Sequence, residues 1–200
     1  MYIISLSAGQ EGRPAMAMLY PAVVRRGDVG RYIYQILFLE EEPNLSEPHI
    51  LSRVCTLTHN PDLWEEKMVL VDRGAVGESL YASIAEEVEA VPVWIHDGAG
   101  TEHPERMHVA RLDLLSAMEV LFDQHRITVS KKTSGWAALE GQLASVRSTY
   151  ETDTRQSPTN LSMAVALCAW YADMSVGREV ELRERENLSW DPLRFGLTHE

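Results

Sequence analysis

The residues of this chain that could do chemistry are few and dispersed. Asp72 ends a short apolar run, Met68-Val69-Leu70-Val71-Asp72, and Arg73-Gly74-Ala75-Val76-Gly77 follows it. Glycines between a strand and a helix start expose backbone N–H groups that attract anions. Here no Lys-Ser/Thr pair accompanies them and an acid sits alongside, so Gly74–Gly77 reads as a tight strand-to-helix turn. His96, His103 and His108 lie near Asp97 in a Gly- and Pro-containing stretch. Zinc favours imidazole and carboxylate ligands, but these spacings match no familiar zinc pattern and read as solvated loop histidines. Cys55 and Cys168 stand in no catalytic setting, and Cys168, between Leu167 and Ala169, reads as core. The chain contains no Gly-x-Ser-x-Gly elbow and no Gly-x-x-x-x-Gly-Lys-Ser/Thr loop, so neither that type of serine hydrolysis nor ATP hydrolysis is expected. Trp136, Trp170 and Tyr171 could stack on bases, but their helical spacing with Leu139 and Leu167 marks them as core. Lys131-Lys132 is the only adjacent lysine pair and is too small to be a nucleic-acid track.

Composition narrows the function classes further. With 200 residues, 45% of them hydrophobic and 24% charged, the chain is long enough for one domain with a sizeable core. The net charge of −12 opposes non-specific binding to nucleic acid or anionic membrane. Most of that excess lies in residues 36–95, where three bases face twelve acids, including Glu40-Glu41-Glu42 and Glu86-Glu87. Such runs read as solvated faces, with a surface for a basic protein partner as the sharper alternative. No apolar run approaches the roughly 20 residues of a membrane helix. The start, Met1-Tyr2-Ile3-Ile4-Ser5-Leu6, lacks a basic leader and a long apolar core. Two isolated cysteines suit a reducing compartment, so a cytoplasmic location is expected.

The elements that must position these residues follow from hydrophobic period. Residues 2–7 read as a buried strand, with a turn at Gly9-Gln10-Glu11-Gly12. Residues 15–24 read as a second strand in which Pro21 suggests an edge position or a bulge. Gly27, Asp28 and Gly30 make a hairpin turn, and residues 32–39 form a third strand, completing an antiparallel meander. A helix is expected over 46–60, a strand over 68–72, a helix over about 77–90 and a strand over 91–95. A helix through Leu114–Phe122, a short strand at 126–130 and a helix from Trp136 come next. Ser157-Pro158 reads as an N-cap with proline at the first helical position, opening a last helix over 159–173. A meander followed by α/β units gives an α/β fold, a mixed sheet flanked by helices. This is the element order of the ribonuclease H-like fold. The domain is expected to span 1–175, with 176–200 as a polar C-terminal extension.

Several segments, in order, resemble the C-terminal nuclease domain of phage terminase large subunits, the DNA-packaging enzymes. The opening strand into Ser7-Ala8-Gly9-Gln10 resembles that family's first catalytic strand. Val69 to Gly77 resembles its strand, acid and glycine turn. Val109-Ala110-Arg111-Leu112-Asp113-Leu114 leads into a helix and then Arg126-Ile127-Thr128-Val129, as in the family. Thr159 to Leu167 resembles its last helix. The resemblance covers residues 1–175. It implies a phage or prophage protein, and a nuclease centre in which carboxylates hold two Mg²⁺ or Mn²⁺ ions about 4 Å apart against a phosphodiester. It thereby implies a nucleic-acid partner, which the net charge opposes.

Carried over residue by residue, the family's three acidic positions fall differently here. The fourth-strand acid is Asp72. The first-strand position is Ser7, and the last-helix positions are Thr159 and Asn160, all neutral. An alcohol or an amide coordinates weakly and cannot neutralise two dications near phosphate. The expectation is therefore a terminase-nuclease-like domain without two-metal catalysis or a cofactor, serving a structural or protein-interaction role as a partner subunit or homo-oligomer. The alternative is a Mg²⁺- or Mn²⁺-dependent DNA endonuclease that uses Asp72 with relocated acids. Asp97, Glu11 and Asp153 are the candidates for relocation, although each reads as a solvated loop residue.

Overall fold

In the computed structural model, residues 1–8, 13–26, 29–41, 46–97, 107–152 and 160–189 are described. The expected turns at Gly9–Gly12 and Gly27-Asp28, His103, Asp153, the Ser157-Pro158 cap and Thr159 lie outside them. The strands are β1 (Tyr2–Ala8), β2 (Pro14–Arg26), β3 (Val29–Glu41), β4 (Lys67–Asp72), β5 (Ala90–His96), β6 (Met107–Ala110) and β7 (Ile127–Val129). The helices are α1 (Glu47–Thr58), α2 (Arg73–Val76), α3 (Glu78–Glu87), α4 (Arg111–Asp123), α5 (Trp136–Thr152) and α6 (Asn160–Ser189).

The seven strands form one mixed sheet in the order β6-β5-β4-β1-β2-β3-β7. β1, β2 and β3 are the expected antiparallel meander, and β4, β5 and β6 add in parallel on the β1 side. β7 pairs in parallel with β3. The pairing of β2 with β3 shifts register between Met18 and Leu19. Pro21 comes just after the bulge, beyond the last β1–β2 pair, Ile3 with Leu19, so its missing N–H leaves no β1 carbonyl unpaired. The four-residue β6 is absent from the sequence reading, because a run as short as Met-His-Val-Ala carries too little periodic signal.

Strand alternation divides the core in two. Tyr2, Ile4 and Leu6 of β1 and Val69 and Val71 of β4 pack under α1 and α3, through Ile50, Val54, Leu57, Leu80 and Ile84. Ile3 and Leu70 face the other way, with Val93, toward α4, α5 and α6. Ser5, Ser7 and Asp72 share this second face by the same alternation. Cys55 and Cys168 lie on helices that cover opposite faces, and both are free.

Helix α6 is the central element of the second face. Every residue from Asn160 to Ala169 is buried. The small Ala164, on the stripe that faces β1, keeps the helix close to the sheet. The Ser5 hydroxyl donates to the Ala164 carbonyl at 2.6 Å, and Cys168 Sγ lies 3.5 Å from the Ile3 carbonyl. Farther along α6, the buried Tyr34 hydroxyl donates to Asp173 at 2.9 Å, and Arg126 donates to the Tyr34 oxygen at 2.8 Å. This close approach predicts that Ala164→Leu, which inserts three heavy atoms between helix and sheet, destabilises the protein by about 1–3 kcal/mol. Urea denaturation checks it, and a change under about 0.5 kcal/mol would show that the contact is loose.

Candidate active site

The contacts of α6 with β1 fix what stands at the carboxyl ends of the central strands. Cys168 meets Ile3 and Ala164 meets Ser5, so two strand residues are matched by four helix residues. Two residues advance about 6.6 Å along a strand and four about 6 Å along a helix. The next step brings Asn160 level with Ser7. Consistent with this, the buried Asn160 donates its amide to the carbonyl of Arg13, the residue before Pro14, which pairs with Ala8 of β1. The start of α6 is held from a second side. Gln142 of α5 accepts from the Ser162 N–H at 3.0 Å and donates to Glu41 at the end of β3 at 2.7 Å. Gln142 thereby satisfies one of the N–H groups that a helix start leaves unpaired.

Ser7 and Asp72 meet directly. The Ser7 hydroxyl donates to Asp72 Oδ2 at 3.1 Å, and both residues are buried, Asp72 with 6% of its surface exposed. Asp72 also caps the short helix α2, where its Oδ1 accepts from the Ala75 N–H at 3.3 Å. The glycine turn is therefore a strand-to-helix turn, as its composition suggests, and the amide that could have met an anion is directed at the chain's own carboxylate. Gly77 ends the turn with φ +85°, a backbone conformation that favours glycine.

Burial dominates the electrostatics of Asp72 and raises its carboxyl above the ordinary range. The Ser7 hydroxyl, the Ala75 N–H and the nearby Arg111 guanidinium oppose that shift without reversing it. Arg111, the first residue of α4, has a role the sequence reading missed, as does Gln142. Both are long polar side chains whose roles depend on partners distant in sequence, and neither carries a motif. Arg111 Nε lies 2.8 Å from Asp97 Oδ1, an ion-pair contact without hydrogen-bond alignment.

The other candidates separate from Asp72. Asp97 is 73% exposed and pairs with Arg111. His96 and His108, expected in a loop, lie instead on β5 and β6, because Trp94 and His108 pair across a parallel ladder that the sequence pattern did not reveal. Their rings are 6.2 Å apart, and Trp94 stacks on His108 at 5.5 Å. The neighbouring Ile95, Met107 and Val109 belong to the α6-side core, so these rings face away from Asp72. Trp136, Trp170 and Tyr171 pack half-buried against the α6-side core. Lys132 lines an open groove of about 380 Å³ with Leu37, Phe38, Leu39 and the hydroxyls of Ser130, Thr133 and Ser134.

The donors around Asp72 can be tested against a divalent centre. Among the described residues, no three His, Cys, Asp or Glu side chains come together to hold an ion. Among the described residues, the single carboxylate of Asp72, already engaged by a hydroxyl and an amide and lying in the field of a guanidinium, does not by itself fit a pair of dications, which need carboxylates to bridge and neutralise them.

The raised carboxyl gives a pH prediction. A folded-state value above the unfolded one means that the stability contributed by Asp72 is complete below the ordinary carboxyl range and is lost as pH rises through the folded value. Asp72→Asn, which keeps the shape and the capping oxygen, is expected to raise stability near neutral pH by about 1 kcal/mol. The gain should vanish near pH 4. Melting curves from pH 4 to 8 check this, and a variant less stable than the parent at neutral pH would contradict it.

No protein-family model matches the chain, and no curated protein matches it either. Among solved structures it is similar to the human cytomegalovirus terminase nuclease domain, in a manganese-soaked, inhibitor-bound form. The TM-score is 0.50 and the identity 12%, over 86% of this chain and 82% of that one. The seven-stranded mixed sheet and this likeness establish a ribonuclease H-like fold of the terminase nuclease type.

Proposed function

We propose that this protein is a phage or prophage domain of the terminase-nuclease type that no longer performs two-metal nuclease catalysis and serves as a structural or protein-interaction module. The observation that carries the reading is the company Asp72 keeps. The Ser7 hydroxyl donates to it, the Arg111 guanidinium, paired with Asp97, acts on it only at longer range, and the Asn160 amide at the adjacent helix start is committed to a backbone carbonyl. Thr159, the remaining position of that set, offers only a hydroxyl. Two-metal hydrolysis needs anionic ligands that offset four positive charges beside a phosphodiester, and this set supplies one.

The partner in this reading is a protein, either a second copy or a host or phage subunit. The acidic 36–95 segment supplies charge for a basic surface. Among the described residues, no helix is long and apolar enough to cross a membrane. We place the protein in the host cytoplasm. The domain comprises residues 1–175, with 176–200 as an extension that α6 carries forward to Ser189.

The second reading is a DNA endonuclease that recruits relocated acids around Asp72. It draws on the nuclease named as the structural neighbour, which was soaked with manganese, and on Glu11, four residues after Ser7. A plasmid-nicking assay in Mg²⁺ and in Mn²⁺ separates the two. The proposed function predicts no cleavage above that of Asp72→Ala prepared in parallel. Cleavage by the parent protein that disappears in Asp72→Ala would establish the endonuclease.

A further inference from the structure

We infer that the protein pairs with a second copy of itself through the end of the sheet opposite Asp72, the β2–β3 ribbon of each copy seating on the Trp64 loop of the other. The inference rests on the interaction role proposed above and names its partner and its surface.

The sheet ends in a step. β1 pairs with β2 only as far as Ile3 with Leu19, whereas β2 and β3 stay paired out to Arg26 and Val29. The arm from Tyr20 to Arg26 therefore stands as part of a two-stranded ribbon, rising about 20 Å beyond the start of β1. Its β3 side is braced. Arg31 donates to the Gln124 carbonyl, and Arg126 Nε donates to the Tyr32 carbonyl at 3.3 Å. Its β2 side has no strand against it among the described residues. Val23 and Val24, which point to opposite faces, are each about half exposed. Pro21 removes an N–H from that edge, so side chains rather than an added strand ladder make the contact.

The foot of the step is the loop between α1 and β4. It lies level with the start of β1, because the Tyr2 N–H donates to the Glu66 carbonyl at 2.7 Å and the Tyr20 hydroxyl donates to Glu65 at 2.7 Å. Leu63 packs against the α1-side core, but its neighbour Trp64 is 81% exposed, more than any other large apolar side chain among the described residues. An indole in water gains nothing, whereas one seated in an interface is the kind of anchor that carries binding energy.

Charge selects the occupant. The arm 20–26 carries Arg25 and Arg26 and no acid, and the loop 60–66 carries Asp62, Glu65 and Glu66 and no base. Within one copy the arginines stand apart from Glu65 and Glu66, about 17–20 Å farther along the strand direction. A two-fold rotation brings the two sets together twice, because a step is complementary to its own copy. Each ribbon then meets the other copy's loop, and the exposed valines close on Trp64. The net charge of −12 sets two copies against each other at long range. That repulsion is screened beyond about 8 Å at physiological salt, which leaves the local pairing to decide.

Sedimentation and light scattering of the full chain over a range of concentrations test the inference. The parent should approach twice the mass of one chain. Trp64→Ala should weaken the dimer by about tenfold or more without lowering the melting midpoint. Arg25→Glu/Arg26→Glu and Asp62→Lys/Glu66→Lys should each be monomeric alone. An equimolar mixture of these two should dimerise, since the altered ribbon then meets the altered loop and the two unaltered elements meet each other. A parent that stays monomeric up to its solubility limit, a dimer that survives both charge variants, or a mixture that fails to associate would each overturn the inference, and the interaction role would then stand for a different protein. Plasmid nicking reads the loss of catalysis separately, so that part of the proposed function can fail while the dimer stands.

Discussion

The burial of one carboxylate organises the end of the sheet where function would reside. Asp72 is withdrawn from water, and an ionised carboxylate there must be stabilised by neighbours or remain costly. The neighbours are modest ones: a serine hydroxyl, a backbone amide at the start of a four-residue helix, and a guanidinium held mainly by another acid. These hold Asp72 in place, and among the described residues no further His, Cys, Asp or Glu joins it in a cluster of three.

That pocket exists because α6 lies so close to the sheet. Small residues at 164, 168 and 172, which share one helical stripe, allow a buried helix to run directly over β1 and β2, where the Ser5 hydroxyl donates to the Ala164 carbonyl and Cys168 Sγ reaches the backbone carbonyls of Ile3 and Ala17. The same closeness places Asn160 beside Ser7 and commits its amide to Arg13. Packing and site are thus one construction. The helix that completes the core also delivers its first residue to the strand ends, and Gln142 secures that delivery from α5.

Most of the architecture was legible from periodicity. The meander and the alternation of helices and strands that follows it are legible close to their observed limits, because long runs with period 2 or 3.6 leave little choice of face. The last helix is legible at its start, but it continues to Ser189, well past the expected end at residue 173, because its apolar pattern stops there while the helix does not. The four-residue β6 and the four-residue α2 were not legible, since each is defined by its neighbours more than by its own pattern. As a consequence the sequence pattern assigns His96 and His108 to a loop, whereas they lie on paired strands. At the site, Asp72 stood out through its apolar run and glycine turn, and Ser7 and Asn160 only through resemblance. Arg111 and Gln142 were invisible. Nothing in the local sequence of an arginine at a helix start or a glutamine within a helix reports which distant acid or amide it will meet.

The most direct test of the account is a crystal of the full chain soaked in Mn²⁺ and measured for anomalous scattering. The account predicts no anomalous peak within coordination distance of Asp72, with the Ser7 hydroxyl still donating to the carboxylate. Two peaks about 4 Å apart beside Asp72, bridged by its oxygens, would contradict it and identify a working two-metal centre.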